Sequence, residues 1–406
     1  MKTKNLKTKK LKTIDQTTKS GKPDIVLYVV ALALTAFGVL MVYSASMYNA
    51  EVNFGNRYFF MFKQLLGAIF GIFAMMALTF MDYRLLSKFR YPILGVGFLL
   101  LILVFIPGVG VENYGARRWI NLPFFTIQAS EIAKFSFIIF TASYMAKNYK
   151  KMNTFKGVLP VLLVGVIVCV LIILEPNMSI TMVTGLLMFA MLFMGGMRIK
   201  HLVIIIIPFA VLIPVLIIIE PYRLLRLMAF INPWESPKGE GYQLIQSFYS
   251  LGSGGLFGLG LFNSRQKYLF LPFSESDFIL SIIGEEFGLF GCLVLFAGYV
   301  ILIARAMKIA QNSTDRLGCY LASGIAALIA IQTLVNIAVV TGSIPPTGLP
   351  LPFISSGSSS LIVFLSSIGI LQSIARNSHK SVQSFQAARK KKKEKKPKER
   401  LIKLSH

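Results

Sequence analysis

Residues 157–200 read GVLPVLLVGVIVCVLIILEPNMSITMVTGLLMFAMLFMGGMRIK and decide the class of fold. They contain two apolar windows, 157–174 and 178–196, and Glu175 in the short turn between them is the one charged residue before Arg198. An α-helix needs about 20 predominantly apolar residues to cross the hydrocarbon of a bilayer. Each window therefore predicts a membrane-spanning helix, and the pair predicts a helical hairpin.

Eight more apolar windows lie on either side of this hairpin. They cover residues 25–46, 58–80, 91–109, 128–147, 201–219, 277–304, 317–340 and 356–375. Hydrophobic residues make up 55% of the 406 residues and charged residues 15%, against about 45–50% and about 25% in soluble domains. This composition argues against a soluble enzyme and against a disordered basic protein. We predict an all-α polytopic membrane protein with ten transmembrane helices.

The basic residues predict the orientation of these helices. The formal net charge is +25, and a cytoplasmic N-terminus places 32 of the 42 Lys and Arg residues in cytoplasmic segments, as the positive-inside rule requires. Both termini are then cytoplasmic. A basic N-terminal tail (1–24) and a polybasic C-terminal tail (376–406) flank a membrane domain of residues 25–375, and a large extracellular loop (220–276) joins helices 7 and 8. The basic C-terminal run lacks interleaved aromatic residues, so we expect no nucleic-acid partner.

The cysteines indicate neither a disulfide framework nor a zinc site. Cys169, Cys292 and Cys319 all lie in apolar windows, and no CxxC pair occurs. Buried cysteines of this kind usually act as small hydrophobic residues.

Two predicted extracellular loops, 110–127 and 220–276, carry basic residues against the positive-inside trend. The arginines that we single out are Arg117, Arg118, Arg223 and Arg226. Guanidinium groups form the forked hydrogen bonds that suit a diphosphate. Ion pairs within the loops explain these arginines equally well, and the candidate partners are Glu112, Glu220, Glu235 and Glu240. Trp119, next to Arg118, is either an interfacial anchor or a site residue.

Ionisable residues inside the windows are costly in a bilayer and are candidates for function. They are Lys63, Glu131, Lys134, Glu285 and Glu286. Lys63 lies near the outer end of its window, where its side chain can reach outward to water. Glu131 and Lys134 are three residues apart on one helix and can pair with each other. Either Glu285 or Glu286 could instead pair with Lys63.

Asp277 begins a window directly after the longest loop, in SESDFILSIIGEEFG (274–288). At a helix start it could act as an N-cap. Alternatively, partial desolvation could raise its pKa toward the working pH and make it a general base, with Glu275 as a rival.

Two glycine-rich stretches complete the pattern. GSGGLFGLG (252–260) lacks the spacing of a nucleotide loop and predicts a flexible connector or close backbone packing. TGSIPPTGLPLPFISSGSSS (341–360) predicts a re-entrant segment, because irregular backbone at membrane depth survives only beside protein or a water-filled cavity.

Five segments in order resemble the SEDS family (shape, elongation, division and sporulation). They are GARRWI (115–120), QASEIAK (128–134), EPNMS (175–179), DFI with GEEFG (277–288) and PTGLPLPFIS (346–355). The resemblance covers roughly residues 25–375 and is greater to the FtsW and SpoVE branch than to RodA. Departures are Ala129, Asn177, Glu275 and the run Ser355–Ser359, where the family usually has other residues.

The resemblance implies a peptidoglycan glycosyltransferase. It would polymerise lipid II at the outer face of the cytoplasmic membrane, with inversion at the anomeric centre and undecaprenyl diphosphate as leaving group. Asp277 would deprotonate the acceptor hydroxyl or hold a divalent cation, Mg²⁺ or Mn²⁺, and no organic cofactor is implied. Trp119 matches the family's tryptophan. The substrate-binding candidates are Arg117, Arg118, Trp119, Arg223, Arg226, Lys63, Glu131 and Lys134.

The resemblance also implies partners and a place in the cell. The partners are a class B penicillin-binding protein, which is a single-span transpeptidase, and other division proteins. The place is the bacterial cytoplasmic membrane, at the division septum or in sporulation. Two alternatives stay open: a flippase for lipid II, which needs polar groups along the full bilayer depth, and a division scaffold without enzymatic activity.

Overall fold

The computed structural model of the chain describes residues 22–113, 116–121, 126–219 and 221–378. These ranges are mainly helical. The helices are α1 (Ile25–Phe54), α2 (Phe59–Phe80), α3 (Arg84–Lys88), α4 (Arg90–Leu103), α5 (Ala129–Asn148), α6 (Phe155–Leu174), α7 (Met178–Met194), α8 (Ile199–Ile219), α9 (Pro221–Ile231), α10 (Tyr242–Gly254), α11 (Ile279–Gln311), α12 (Arg316–Val340) and α13 (Ser358–Ser378). The predicted tails, 1–24 and 376–406, fall mostly outside the described residues.

A helix occupies each of the ten apolar windows. Among the described helices, six are long and apolar enough to cross a membrane by length and composition, namely α1, α2, α6, α11, α12 and α13. Side-chain caps explain several of the helix starts: Asp24 accepts a hydrogen bond from the Leu27 amide, and Asn177 accepts one from the Ile180 amide. Such caps satisfy amides that have no partner within the helix.

Polar contacts fasten the end of the bundle that lies away from Asp277. Arg305 of α11 forms an ion pair with Asp24 at the start of α1, with 2.6 Å between Nη2 and Oδ2. Arg84 and Asp315 form another, with 3.0 Å between Nε and Oδ2. The starts of α1, α3 and α12 therefore meet the last turns of α11 at one end of the bundle.

The prediction of an all-α protein is wrong at residues 110–128. Three short strands form an antiparallel sheet there in the order β1 (Gly110–Asn113), β2 (Ala116–Asn121) and β3 (Thr126–Gln128). Trp119 of β2 lies opposite Val111 and Gln128. The sequence did not predict these strands, because apolar windows indicate membrane helices and the strands lie between two such windows.

The connection between α8 and α11 is largely structured. It contains α9 and α10, and its glycine-rich part packs into a break in α11 at Gly288, where φ is 68°. The amides of Leu259 and Gly260 donate to the carbonyls of Glu285 and Glu286, over 2.9 and 3.0 Å. This arrangement confirms close backbone packing for GSGGLFGLG, and a Cβ on Gly288 would clash with this segment.

Candidate active site

Asp277 lies just before α11 and is held through its backbone. Asn336 of α12 donates its side-chain amide to the Asp277 carbonyl over 2.8 Å. The neighbouring backbone is anchored as well, since the Ser355 hydroxyl donates to the Ser276 carbonyl over 2.6 Å. Asp277 does not act as the N-cap of α11, because Phe278 holds that position and no side chain caps the helix.

The segment 341–357 forms one wall beside Asp277, as the prediction of a re-entrant segment requires. Asn336 donates its second hydrogen bond to the Leu349 carbonyl over 2.7 Å. Gln64 of α2 exchanges hydrogen bonds of 3.0 Å with the Ser355 carbonyl and the Gly357 amide. A Cβ added to Gly348 would lie 3.5 Å from Oδ2 of Asp277, in ordinary van der Waals contact.

The surroundings of Asp277 raise its pKa to about 7. Desolvation among the packed segments is the main cause, because it penalises the charged carboxylate, and the negative charge of Glu275 acts in the same direction. A hydrogen bond from its own backbone and the positive charge of Arg226 lower the pKa. The carboxyl group is therefore close to half-ionised near neutral pH, which suits a group that accepts and releases a proton.

Glu131 and Lys134 form the ion pair that their spacing predicts. The Lys134 Nζ is 2.8 Å from Glu131 Oε1, and both side chains are fully buried. Lys134 also donates to Gln332 over 3.0 Å, and Gln332 donates to the Pro350 carbonyl over 3.0 Å. The pair thus supports the wall beside Asp277 from within the bundle.

Neither Glu285 nor Glu286 of α11 pairs with Lys63. Its Nζ lies 4.2 Å from the centre of the Phe59 ring, as a cation–π contact. Glu286 instead pairs with Lys267, with 3.2 Å between Nζ and Oε1 and both side chains fully buried. Glu285 accepts hydrogen bonds from Ser264 and from the Arg265 amide. Both glutamates hold the loop before Asp277 in place.

The predicted arginines have different surroundings. Arg118 donates to the carbonyls of Glu175 and Pro176 over 3.2 and 2.5 Å. Arg226 approaches Glu240, with 3.7 Å between Nε and Oε2, and acts on Asp277 through its charge. Arg117 and Trp119 lie on β2. The Arg223 side chain and Glu220 lie outside the described residues.

Comparison with known proteins assigns the chain to a family. Residues 24–380 match the cell cycle protein family that comprises FtsW, RodA and SpoVE. This chain belongs to that family. The prediction of a SEDS protein is thereby confirmed.

The sequences of similar SEDS proteins align with most of this chain. The chain is 41% identical to the probable peptidoglycan glycosyltransferase FtsW of Trichlorobacter lovleyi, over 87% of this chain and 93% of the relative. It is 39% identical to the stage V sporulation protein E of Bacillus subtilis, over 89% and 99%.

Solved structures resemble the fold. A chain from a study of a peptidoglycan synthase complex that coordinates polymerization and crosslinking matches with a TM-score of 0.73 and 28% identity, over 88% of this chain and 98% of that one. RodA of Thermus thermophilus matches with a TM-score of 0.65 and 26% identity, over 87% and 97%.

The divalent cation that we expect at Asp277 stays a prediction. No group of three or more His, Cys, Asp or Glu side chains is arranged there or elsewhere in the described ranges to hold one. The acidic neighbour that acts on Asp277 is Glu275. Mg²⁺ usually keeps several waters and binds through one or two carboxylates together with substrate phosphates, so Asp277 and Glu275 would hold it only together with the substrate, and we derive no step through a cation.

Several site residues of this SEDS protein escaped sequence reasoning. They are Gln64, Gln332, Asn336 and Gly348. The signal was present, because Gln332 and Asn336 are uncharged polar residues one helical turn apart in an apolar window. Polar side chains at such positions need partners.

Proposed function

We propose that this chain is a peptidoglycan glycosyltransferase that polymerises lipid II at the outer face of the cytoplasmic membrane. Relatives of about 40% identity that cover most of the chain carry the name of this activity. The observation that carries the proposal is Asp277, a carboxyl group at the start of α11 beside the segment 341–357, with a pKa raised to about 7. Such a group is what the transfer of a sugar to a hydroxyl requires.

We place all ten helices at the apolar windows across the membrane, with both termini in the cytoplasm. Two ion pairs support this arrangement, since Asp24 meets Arg305 and Arg84 meets Asp315. These four residues all belong to segments that the charge distribution assigns to the cytoplasm. The segments that contain Arg118, Asp277 and Gly348 then lie outside, and the connection 220–276 is extracellular.

In the proposed reaction, Asp277 accepts the proton of the acceptor hydroxyl. The acceptor oxygen bonds to the anomeric carbon of the donor sugar from the opposite side, which inverts the configuration. The bond from this carbon to the undecaprenyl diphosphate breaks, and its electron pair stays on the diphosphate. Positive groups that stabilise this developing charge lower the barrier, and the arginines Arg117, Arg118, Arg223 and Arg226 are the candidates.

The buried ion pair of Lys134 and Glu131 has a positioning role in this proposal. Lys134 and Glu131 do not face solvent, because both side chains are fully buried. Through Gln332 and Pro350 they fix the wall beside Asp277. We assign Lys63, whose side chain lies near the same end, and Trp119 to the contact with the lipid-linked sugars.

We propose a class B penicillin-binding protein and other division proteins as partners. The similar solved chain comes from a synthase complex that coordinates polymerization with crosslinking, and a transpeptidase supplies the second of these reactions. The similarity to FtsW and to a sporulation protein supports a place in the septal or spore-forming membrane.

The flippase and scaffold alternatives are not favoured. The relatives are named as glycosyltransferases, and the two lysines that are fully buried among the described residues, Lys134 and Lys267, are both paired with glutamates. Neither lysine lines an open path across the bilayer in this arrangement, as a flippase for a charged lipid would require.

Replacement of Asp277 by Asn tests the proposed activity. The purified protein with its transpeptidase partner and labelled lipid II should produce glycan chains on a gel, and the Asp277→Asn protein should produce none. Glu51→Gln is the matched control, because Glu51 is an exposed acid paired with exposed Arg57. Wild-type activity in Asp277→Asn, or no polymer from the wild-type protein, would refute the proposal.

A further inference from the structure

An open cavity of about 440 Å³ lies at the end of the bundle opposite the proposed active site. It is formed where α3, the last turns of α5 and the start of α12 meet. Its lining includes the basic residues Arg84, Lys147 and Arg316 and the acidic residue Asp315. The charge of the lining is therefore positive. The reaction described above uses none of these residues.

The carboxylate of Asp315 is committed to the fold of this end. Its Oδ2 accepts hydrogen bonds from the Tyr83 hydroxyl over 2.8 Å and from Nε of Arg84 over 3.0 Å. Its Oδ1 caps α12 by accepting one from the Gly318 amide over 2.8 Å. Asp315 therefore balances the charge of Arg84 but not the charges of the other two basic residues.

Neither Lys147 nor Arg316 forms an ion pair within the part of the chain that the structure describes. The guanidinium group of Arg316 stacks on Tyr149, with 3.2 Å between Cζ and the centre of the ring. Stacking positions such a group and leaves the N–H groups at its edge able to donate. Ser143 also lines the cavity, and its buried hydroxyl has no hydrogen-bond partner among the described residues. The lining thus favours a polar, negatively charged occupant.

The position of the cavity indicates where this occupant comes from. The long apolar helices α5 and α12 end and begin at the cavity, at Asn148 and Arg316. Beside it, α3 and the start of α4 expose the apolar side chains of Leu85, Phe89 and Tyr91. A molecule with a phosphate and acyl chains matches both surfaces, because basic pockets between helices at the cytoplasmic face bind the headgroups of anionic lipids.

We propose that this cavity binds the phosphate group of an anionic phospholipid from the cytoplasmic leaflet. Lys147 and Arg316 supply charge-assisted hydrogen bonds to the phosphate oxygens, and Arg84 adds its positive charge. The bound headgroup then holds α3, α5 and α12 together and stabilises the bundle. The inference rests on the placement of this end in the cytoplasm and does not depend on the proposed activity.

Lipid binding to the purified full-length chain tests the inference. The protein in detergent is titrated with phosphatidylglycerol, which is anionic, with phosphatidylcholine, which has no net charge, or with inorganic phosphate alone. Native mass spectrometry counts the bound lipid, and thermal unfolding is measured beside it. The test variant is Lys147→Gln with Arg316→Gln. The control is Lys151→Gln with Lys156→Gln, which removes the same charge from exposed lysines that do not line the cavity.

We expect the wild-type protein to bind phosphatidylglycerol about tenfold or more tightly than phosphatidylcholine and to unfold at a higher temperature with it. The test variant should lose about tenfold in affinity for phosphatidylglycerol, and the control should stay within about twofold of the wild type. If the test variant does not fold, Lys147→Gln alone decides, with an expected loss of about fivefold.

Equal losses in the test variant and the control would overturn the inference, because general attraction to the basic end would then explain the binding. Stabilisation by inorganic phosphate that equals the effect of phosphatidylglycerol would also overturn it, in favour of a soluble phosphate. Selective lipid binding by a protein that makes no glycan polymer would refute the proposed function alone. Polymerisation by a protein that does not distinguish the two lipids would refute this inference alone.

Discussion

The side-chain amide of Asn336 bridges two carbonyls, that of Asp277 over 2.8 Å and that of Leu349 over 2.7 Å. One side chain on α12 thereby sets the distance between the proposed base and the wall beside it. The bridge uses both hydrogens of the amide, so a residue without two donors cannot replace it.

Asn336→Leu should damage both the fold and the activity. It leaves the buried carbonyl of Leu349 and the partly buried carbonyl of Asp277 without this donor, at a cost of about 1–3 kcal/mol for a buried group, and it frees the backbone at Asp277. We expect lower thermal stability in detergent and a loss of polymerisation at saturating lipid II. Asn53→Leu is the control, because Asn53 is exposed and bonds within its own helix. Equal effects of the two substitutions would contradict the bridging role.

The pH dependence of the reaction should follow the charges around Asp277. A general base works when it is deprotonated, so the rate should rise as the pH passes through about 7. Arg226 lowers the pKa of Asp277 and Glu275 raises it. Arg226→Gln should therefore move the rise to higher pH, and Glu275→Gln should move it to lower pH. Shifts in the same direction, or none, in the pH–rate profiles would be inconsistent with Asp277 as the titrating base.

Gly348→Ala should inactivate the protein. Gly348 has a φ of +66°, which residues with a Cβ rarely adopt, and its Cβ would lie 3.5 Å from the Asp277 carboxylate. The strain costs about 1–2 kcal/mol, and the backbone shift that relieves it moves the wall. Gly185→Ala is the control, because nothing lies within 4 Å of a Cβ there and its φ is ordinary. Lipid II polymerisation that survives in Gly348→Ala as well as in the control would argue against this close approach.

The buried ion pair of Lys134 and Glu131 should be sensitive to the loss of one partner. Lys134→Met leaves a buried charge uncompensated, which costs about 3–5 kcal/mol, whereas Arg57→Met removes half of an exposed pair worth about 0–1 kcal/mol. Thermal unfolding in detergent measures both. The double substitution Lys134→Met with Glu131→Leu should recover part of the loss. A double variant less stable than Lys134→Met would contradict the uncompensated Glu131 charge as the cause of the loss.

The sequence predicted the positions of the long helices because membrane helices are defined by apolar length, a property of neighbouring residues. It also predicted the pair of Glu131 and Lys134, since both lie on one face of one helix. The pairing of Lys267 with Glu286 was missed, and Lys63 was considered instead. Lys267 lies in a loop, and its approach to Glu286 depends on how that loop folds onto α11.

The small sheet and the role of Asn336 were missed for a related reason. β1, β2 and β3 are three to six residues long, too short for a reliable alternation of apolar and polar residues. Asn336 acts on residues 59 and 13 positions away. Contacts between segments so far apart follow from the packing of helices, which one sequence does not specify.

The hydrogen bonds beside the break in α11 link two distant parts of the chain. Hydrogen bonds from residues 259 and 260 to residues 285 and 286 bind the chain back onto itself, so Asp277 belongs to a closed ring of backbone. Closing a ring limits the conformations of the chain within it, as a disulfide does elsewhere. The 57-residue connection 220–276 is thereby divided into two parts, and its second part lies with Asp277 inside a ring whose shape these two hydrogen bonds maintain.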